Sequence, residues 1–166
     1  MAEGRVVPAG ADAEVRTGCP RETEAVGFGL GLGAFPGAVL LLEGPLGSGK
    51  TALARGAGVA LGVRDPLTSP TFTLLSESAG RLPVFHLDLY RVAGPEELRA
   101  FDLVEVLESG GVTIVEWPRW LLAEPPGGAL RVDLAVLTPA ERRLQVRILD
   151  PRWEGWLARA RRNAAA

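Results

Sequence analysis

Between Ala38 and Glu43 the chain reads AVLLLE, apolar without a break until an acid closes it. A short run that is apolar on both sides is the signature of a strand covered on both faces, and it predicts a buried strand over 38–43. Beyond the glycine-rich positions 44–50 the pattern changes to TALARGAGVAL, with Ala and Leu gathered on one helical face, which predicts a helix from Thr51 to Leu61. Two β-rich runs, Thr71 to Glu77 and Leu82 to Leu89, flank the turn Ser78-Ala79-Gly80-Arg81 and predict a hairpin. A helical stretch opens at Gly94-Pro95-Glu96-Glu97, runs through Leu107, and is stopped by Gly110-Gly111 before a strand over Val112 to Glu116. A second hairpin is predicted from Leu130 to Leu137 and Arg142 to Leu149 around Thr138-Pro139-Ala140-Glu141.

Residues 20–35 start with Pro20, Glu22 and Glu24, a good first helical turn, and predict a helix. Gly27, Gly29, Gly31 and Gly33 oppose it, each costing about 1 kcal/mol relative to Ala inside a helix. The same glycines imitate a dinucleotide-binding fingerprint, but that motif follows a strand and this segment precedes one. From about Pro151, Trp153, Trp156, Leu157 and Ala160 recur at the spacing of one helix face, with Arg152, Arg159, Arg161 and Arg162 around them. A packed terminal helix is the structural reading, and a partner or RNA contact is the functional one. These elements predict an α/β fold with a mixed central β-sheet in three layers and peripheral β-hairpins. The 166 residues form one domain, with a core of about 20–150 and a C-terminal helix of about 151–163.

The eight positions between strand and helix are Gly44-Pro45-Leu46-Gly47-Ser48-Gly49-Lys50-Thr51, the phosphate-loop pattern G-x-x-x-x-G-K-[ST]. Lys50 is the one lysine in a chain with 18 Lys plus Arg, so an ammonium is kept here alone. A compact point charge fits a cradle of backbone amides where a planar guanidinium fork would not. The fold class is therefore that of a single-domain P-loop NTPase, with Pro45, Leu46, Gly47, Ser48, Gly49, Lys50 and Thr51 as the expected ATP contacts. Phosphoryl chemistry also calls for Mg2+, which takes hydroxyl, carboxylate and water oxygens. Thr51 offers the hydroxyl. Asp88 in VFHLDLY and Glu116 in VTIVEW each put an acid at the end of an apolar strand, costly unless paired or metal-bound. The expected metal set is thus Thr51, Asp88 and Glu116, against the plainer reading of two strand-end surface acids. The sole histidine, His86, shares a strand face with Asp88 and is either a satisfied structural residue or one that orients the acid or senses the nucleotide. Ser69-Pro70-Thr71-Phe72 enters the first hairpin, either as a simple helix-to-strand turn or as a switch-like loop in which Thr71 contacts the γ-phosphate or magnesium.

A net charge of −2 gives no electrostatic footprint for gripping a nucleic-acid backbone directly. The single Cys19 excludes an internal disulfide and suits a reducing compartment. No apolar run approaches the roughly 20 residues that span a bilayer, and no export leader is recognisable, so a cytoplasmic protein is expected. Guanine-specific switches use an Asn-Lys-x-Asp loop, which cannot exist where Asn163 and Lys50 are the only residues of their kinds.

Taken together, GPLGSGKT, SPTF at 69–72, HLDLYR at 86–91 and IVEWP at 114–118 resemble the TsaE family of bacterial ATPases, once called YjeE, over about residues 20–120. The resemblance implies a small P-loop ATPase that works with the partner proteins TsaB and TsaD in making the threonylcarbamoyl modification of adenosine 37 of certain tRNAs. Contact with tRNA would then be indirect, through the complex. It also implies that Asp88 and Glu116 serve magnesium and hydrolysis, with Thr71 at the nucleotide. The expected catalytic residues are Glu116, Lys50 and Asp88: Asp88 helps hold magnesium through water, Glu116 positions or activates the attacking water and Lys50 neutralises the β/γ-phosphates, although the two acids' roles are interchangeable. Pro45 and Ala52 depart from the family, which commonly has an acidic residue and a second threonine there. The alternative activity is a P-loop small-molecule kinase, for which Arg91 and Arg99 are the available cations but no lid-like insertion is visible.

Overall fold

The computed structural model describes residues 12–70 and 72–164, with side chains to residue 159. One seven-stranded sheet organises them, in the order β1-β7-β6-β2-β5-β4-β3. Its strands are β1 (Ala13–Thr17), β2 (Val39–Glu43), β3 (Leu75–Ser78), β4 (Val84–Asp88), β5 (Val112–Glu116), β6 (Ala129–Val136) and β7 (Arg142–Ile148). The middle strands β6, β2, β5 and β4 run parallel, while β3 and β7 pair antiparallel at the two flanks. The sheet is therefore mixed, and both expected hairpins are built into its flanks.

Burial on both faces explains the apolar runs of β2, β4 and β5. On one face Leu40, Leu42, Ile114 and Val132 pack under α1 (Pro20–Gly33), α2 (Lys50–Ala60) and α5 (Glu154–Ala164). On the other, Val39, Leu41, Leu87 and Val115 pack under α3 (Pro95–Arg99) and α4 (Leu103–Glu108) through Leu98 and Leu103. Three layers result, as expected. The helical stretch over 94–107 is two helices rather than one. Positions five apart lie about 140° apart around a helix, so a continuous helix could not turn both Leu98 and Leu103 to the sheet. A break at Phe101-Asp102 lets both be buried.

The glycines of α1 are explained by the helix it crosses. A Cβ on Gly27 would stand 2.0 Å from the Leu53 carbonyl oxygen, and one on Gly56 would stand 1.9 Å from that of Glu24. Side chains are absent there because backbone meets backbone, and close packing replaces the propensity that glycine forfeits. The apolar side of the terminal segment packs on the core: Trp153, in the 3-10 turn just ahead of α5, is fully buried, its Nε1 donates to Gly128 O at 2.9 Å, and Trp156 lies against Gly33, while the side chains of Ala160, Arg161 and Arg162 lie outside the described ones. The strand β1, not anticipated from the pattern, pairs antiparallel with β7 at the sheet edge. Its Glu14 and Arg16 give it the charged look with which edge strands avoid further pairing.

Candidate functional site

Parallel strands end together, and open α/β sheets bind ligands at those carboxyl ends. Leu42 of β2 is in register with Glu116 of β5, and Glu116 with Asp88 of β4, so both candidate acids stand on neighbouring strand ends beside the glycine loop. The loop needs its glycines: Gly47 and Gly49 have φ of +75° and +102°, a region that costs other residues about 1–2 kcal/mol. Gly49 also caps α2 with no side chain, leaving that helix terminus to meet an anion with its backbone amides. The would-be Cβ of Gly44 lies 2.5 Å from the Leu134 carbonyl oxygen, so the loop rests directly on β6.

Lys50 is only 5% exposed. Its Nζ donates to Gly44 O at 2.7 Å, Pro45 O at 2.9 Å and Ser48 Oγ at 3.5 Å. It also sits 3.9 Å from the centre of the Trp117 ring. Acceptors clustered on one side and an aromatic face on another suit a slim ammonium better than a planar fork. Burial lowers the Lys50 pKa from the ordinary lysine value, against the opposing pull of Glu116, then Glu43, then Asp88.

Glu116 is the hub of the acidic side. The Thr51 hydroxyl donates to both of its carboxylate oxygens at 3.1 Å, and His86 Nε2 stands 2.8 Å from Oε1. With its proton on Nε2 the imidazole donates to the carboxylate, while Nδ1 has no hydrogen-bond partner among the described residues. His86 thus orients an acid, but that acid is Glu116 on the adjacent strand and not Asp88. The Asp88 carboxylate accepts from the Ser69 hydroxyl and from the Tyr90 N–H at 3.0 Å. Thr71, the expected nucleotide contact, lies outside the described residues.

Sequence reasoning assigned no role to Trp117 or Tyr90. Trp117 has φ of +57° as the chain turns from β5 toward Pro118, and this throws the indole back over Lys50. Such a backbone costs about 1–3 kcal/mol. Tyr90 packs on the same indole with ring centres 4.8 Å apart. The signal available was an aromatic immediately after the acid in IVEWP. Loop, acids and aromatics enclose a cleft of about 450 Å³ that also takes in Ser69 and Arg91.

A polyphosphate with magnesium fits these residues. The cleft offers one ammonium, a hydroxyl and two buried carboxylates, and those carboxylates would repel phosphate unless a divalent cation stood between them. Among the described residues no group of three or more His, Cys, Asp or Glu side chains forms a metal cage.

Strand, glycine loop and helix, with acids on the adjoining parallel strands, define the class of P-loop α/β domains. The family model described as "Threonylcarbamoyl adenosine biosynthesis protein TsaE" matches residues 18–144. The chain belongs to the TsaE family. It is 36% identical over 110 residues to the tRNA threonylcarbamoyladenosine biosynthesis protein TsaE of Treponema pallidum, covering 66% of this chain and 82% of that one. Against the protein of the same name from Bacillus subtilis it is 35% identical over 140 residues, 84% of this chain and 87% of the other. The crystal structure of Bacillus subtilis YdiB superposes with a TM-score of 0.73 at 30% identity, covering 96% of this chain and 97% of that chain.

Proposed function

We propose that this protein binds ATP with magnesium at the loop cleft and hydrolyses it, slowly alone and faster in complex with TsaB- and TsaD-like partners. The process served is the N6-threonylcarbamoyl modification of adenosine 37 in tRNA. The observation that carries the reading is the convergence of Lys50, Thr51, Asp88 and Glu116 on one cleft at the carboxyl ends of parallel strands. Family membership supplies the pathway. The amides of Gly47, Ser48 and Gly49 and the Lys50 ammonium hold the phosphates, with Pro45 and Leu46 shaping the start of the loop. Lys50 exchanges its carbonyl acceptors for phosphate oxygens. Thr51 Oγ1, Asp88 and Glu116 would hold magnesium, which when bound would supply positive charge to offset that of the phosphates. His86 fixes the rotamer of Glu116, so that its carboxylate can orient a water.

The need for partners follows from what the site lacks. The arginine lining the cleft, Arg91, is exposed, with its guanidinium 5.6 Å from the Phe72 ring. A transition-state cation supplied in trans raises turnover about 10³–10⁵-fold in other P-loop enzymes. Leu46, which lines the cleft, exposes 85% of its surface, and Phe72, beside Arg91, exposes 89%, apolar groups that a docking partner would cover. A cytoplasmic setting accords with the free Cys19 and with the absence, among the described residues, of a helix long and apolar enough to cross a membrane.

The test is ATP hydrolysis by the purified chain with and without both partners, together with partner affinity in ATP and in ADP. Acceleration and nucleotide-dependent affinity are expected. Equal rates with unchanged affinities would refute partner dependence, and normal threonylcarbamoylation in cells lacking the protein would refute the pathway.

A further inference from the structure

The tip of the β6–β7 hairpin reaches the phosphate loop through one side chain. Arg142, the first residue of β7, is in register with Val136 across the hairpin and with Thr17 of β1. Its Nε and Nη2 donate at 3.2 and 3.0 Å to a single acceptor, the Gly47 carbonyl oxygen, 95 residues away in sequence. Its Nη1 turns back to the hairpin, donating to Thr138 O at 3.0 Å, Pro139 O at 3.2 Å and Glu141 O at 3.0 Å. Every one of these partners is a backbone carbonyl. The planar fork is used on two sides at once, which a lysine could not copy.

Peptide geometry gives this contact its consequence. In a trans peptide the C=O and the following N–H point in opposite directions. Gly47 has a left-handed backbone, and its carbonyl is drawn to Arg142 at the hairpin. The Ser48 N–H belongs to the same peptide and so points the other way, to Pro45 O at 3.1 Å. That oxygen also accepts from the Lys50 ammonium, so the amide is aimed where the loop's positive groups converge. We infer that Arg142 is a positioning residue of the nucleotide site, locking the Gly47–Ser48 peptide so that the Ser48 N–H, held on Pro45 O in the nucleotide-free fold, is aimed to exchange that acceptor for a phosphate oxygen. The inference rests on the ATP-binding reading above. Packing agrees with it, because Gly44 and Gly49 both lie against Leu134 of β6, making the same hairpin the floor of the loop.

The test compares Arg142→Gln and Arg142→Lys with wild type in the full chain. The readouts are Kd for magnesium-ATP by calorimetry, the Ser48 amide resonance of the nucleotide-free protein, and Tm. Losing the forked contact of Nε and Nη2 with Gly47 O, which pre-orients a phosphate-binding amide, should weaken ATP about tenfold in both variants. The Ser48 resonance should move, and Tm should stay within about 2 °C, as expected for a contact at a hairpin tip. A lysine variant that binds like wild type would assign the effect to charge and overturn the positioning role. An unmoved Ser48 resonance, or a Kd loss matched by a large fall in Tm, would overturn it too. Wild-type binding with unaltered variants defeats this inference alone, whereas a wild-type chain that binds no ATP defeats the nucleotide reading and this inference with it.

Discussion

Replacing Lys50 with methionine separates two effects that a buried ammonium combines, because methionine keeps the slim stem and deletes the charge. In the nucleotide-free fold desolvation outweighs three nearby carboxylates and holds the Lys50 pKa below its usual value of 10.5. The charged form is to that extent a cost to the fold. The unfolded chain then binds more protons in the window just below pH 10.5, so wild-type stability rises with pH there. Deleting the charge removes that penalty but forfeits the bonds to Gly44 O and Pro45 O and the contact with Trp117. Each side amounts to several kcal/mol. The net change should not exceed about 2 kcal/mol, or about 4–8 °C in Tm for a chain of this size. Nucleotide binding has no such offset. Two charge-assisted contacts to phosphate, at about 1.5–3 kcal/mol each, are lost outright, so ATP affinity should fall at least about 100-fold. Calorimetric titration at neutral pH and thermal unfolding from pH 7 to 10 measure both. Wild type should gain stability relative to the variant as the pH rises. An ATP Kd within tenfold of wild type would refute the phosphate-binding role, and a Tm loss far beyond 8 °C would make Lys50 a structural ammonium.

Three further outcomes follow from the geometry. Asp88→Asn and Glu116→Gln should each lower kcat by about 10²-fold or more while changing ATP affinity far less, because an amide keeps the shape and loses the charge; normal single-turnover rates in both would reduce the acids to strand ends. His86→Leu should lower kcat about tenfold with ATP affinity unchanged, and His86→Gln, which keeps a donor toward Glu116, should restore it; equal rates in the two variants would make His86 a core filler. Gly56→Ala gains about 1 kcal/mol of helix propensity and loses about 3 through its clash with Glu24 O, a net loss of about 2 kcal/mol and 4–8 °C. Gly155→Ala, where a Cβ meets nothing within 4 Å, should instead stabilise; destabilisation by both would show that crowding between helices is not the cause.

What was legible in the sequence divides along a physical line. Strands covered on both faces have no polar side, so AVLLLE, VFHLDL and VTIVE stand out as unbroken runs, and the ends of β2 and β5 fall within one residue of the expected ones. The phosphate loop is legible because its constraint is local: left-handed glycines and one ammonium at fixed spacing. Asp88 and Glu116 are legible because an acid in an apolar run has to be explained. Nothing local marks β1, whose partner β7 lies some 130 residues downstream. Arg142 is silent for the same reason: one of many arginines, it gains its place only when the sheet brings the hairpin tip to Gly47.

The glycines of α1 show how the illegible part supports the legible one. Read along the chain, four glycines in fourteen residues argue against a helix, and the reading is correct about the local cost. The cost is met in the crossing with α2, where Gly27 and Gly31 let the α1 backbone approach Leu53 and Ala57 while Gly56 lets α2 approach Glu24. That contact fixes the axis of α2, and α2 begins at Lys50. Thr23 of α1 meanwhile packs beside Gly49, where an added Cβ would stand 3.3 Å from its Cγ2, and bonds Thr17 of β1 at 2.9 Å. The phosphate loop is thus braced by α1 on one side and by Leu134 and Arg142 of the hairpin on the other. Neither brace carries a motif of its own. A cradle of backbone amides binds phosphate well only if those amides are held in place beforehand, since ordering them at the moment of binding would consume affinity. The glycine pattern that weakens α1 as an isolated helix is therefore a condition for the loop it packs beside.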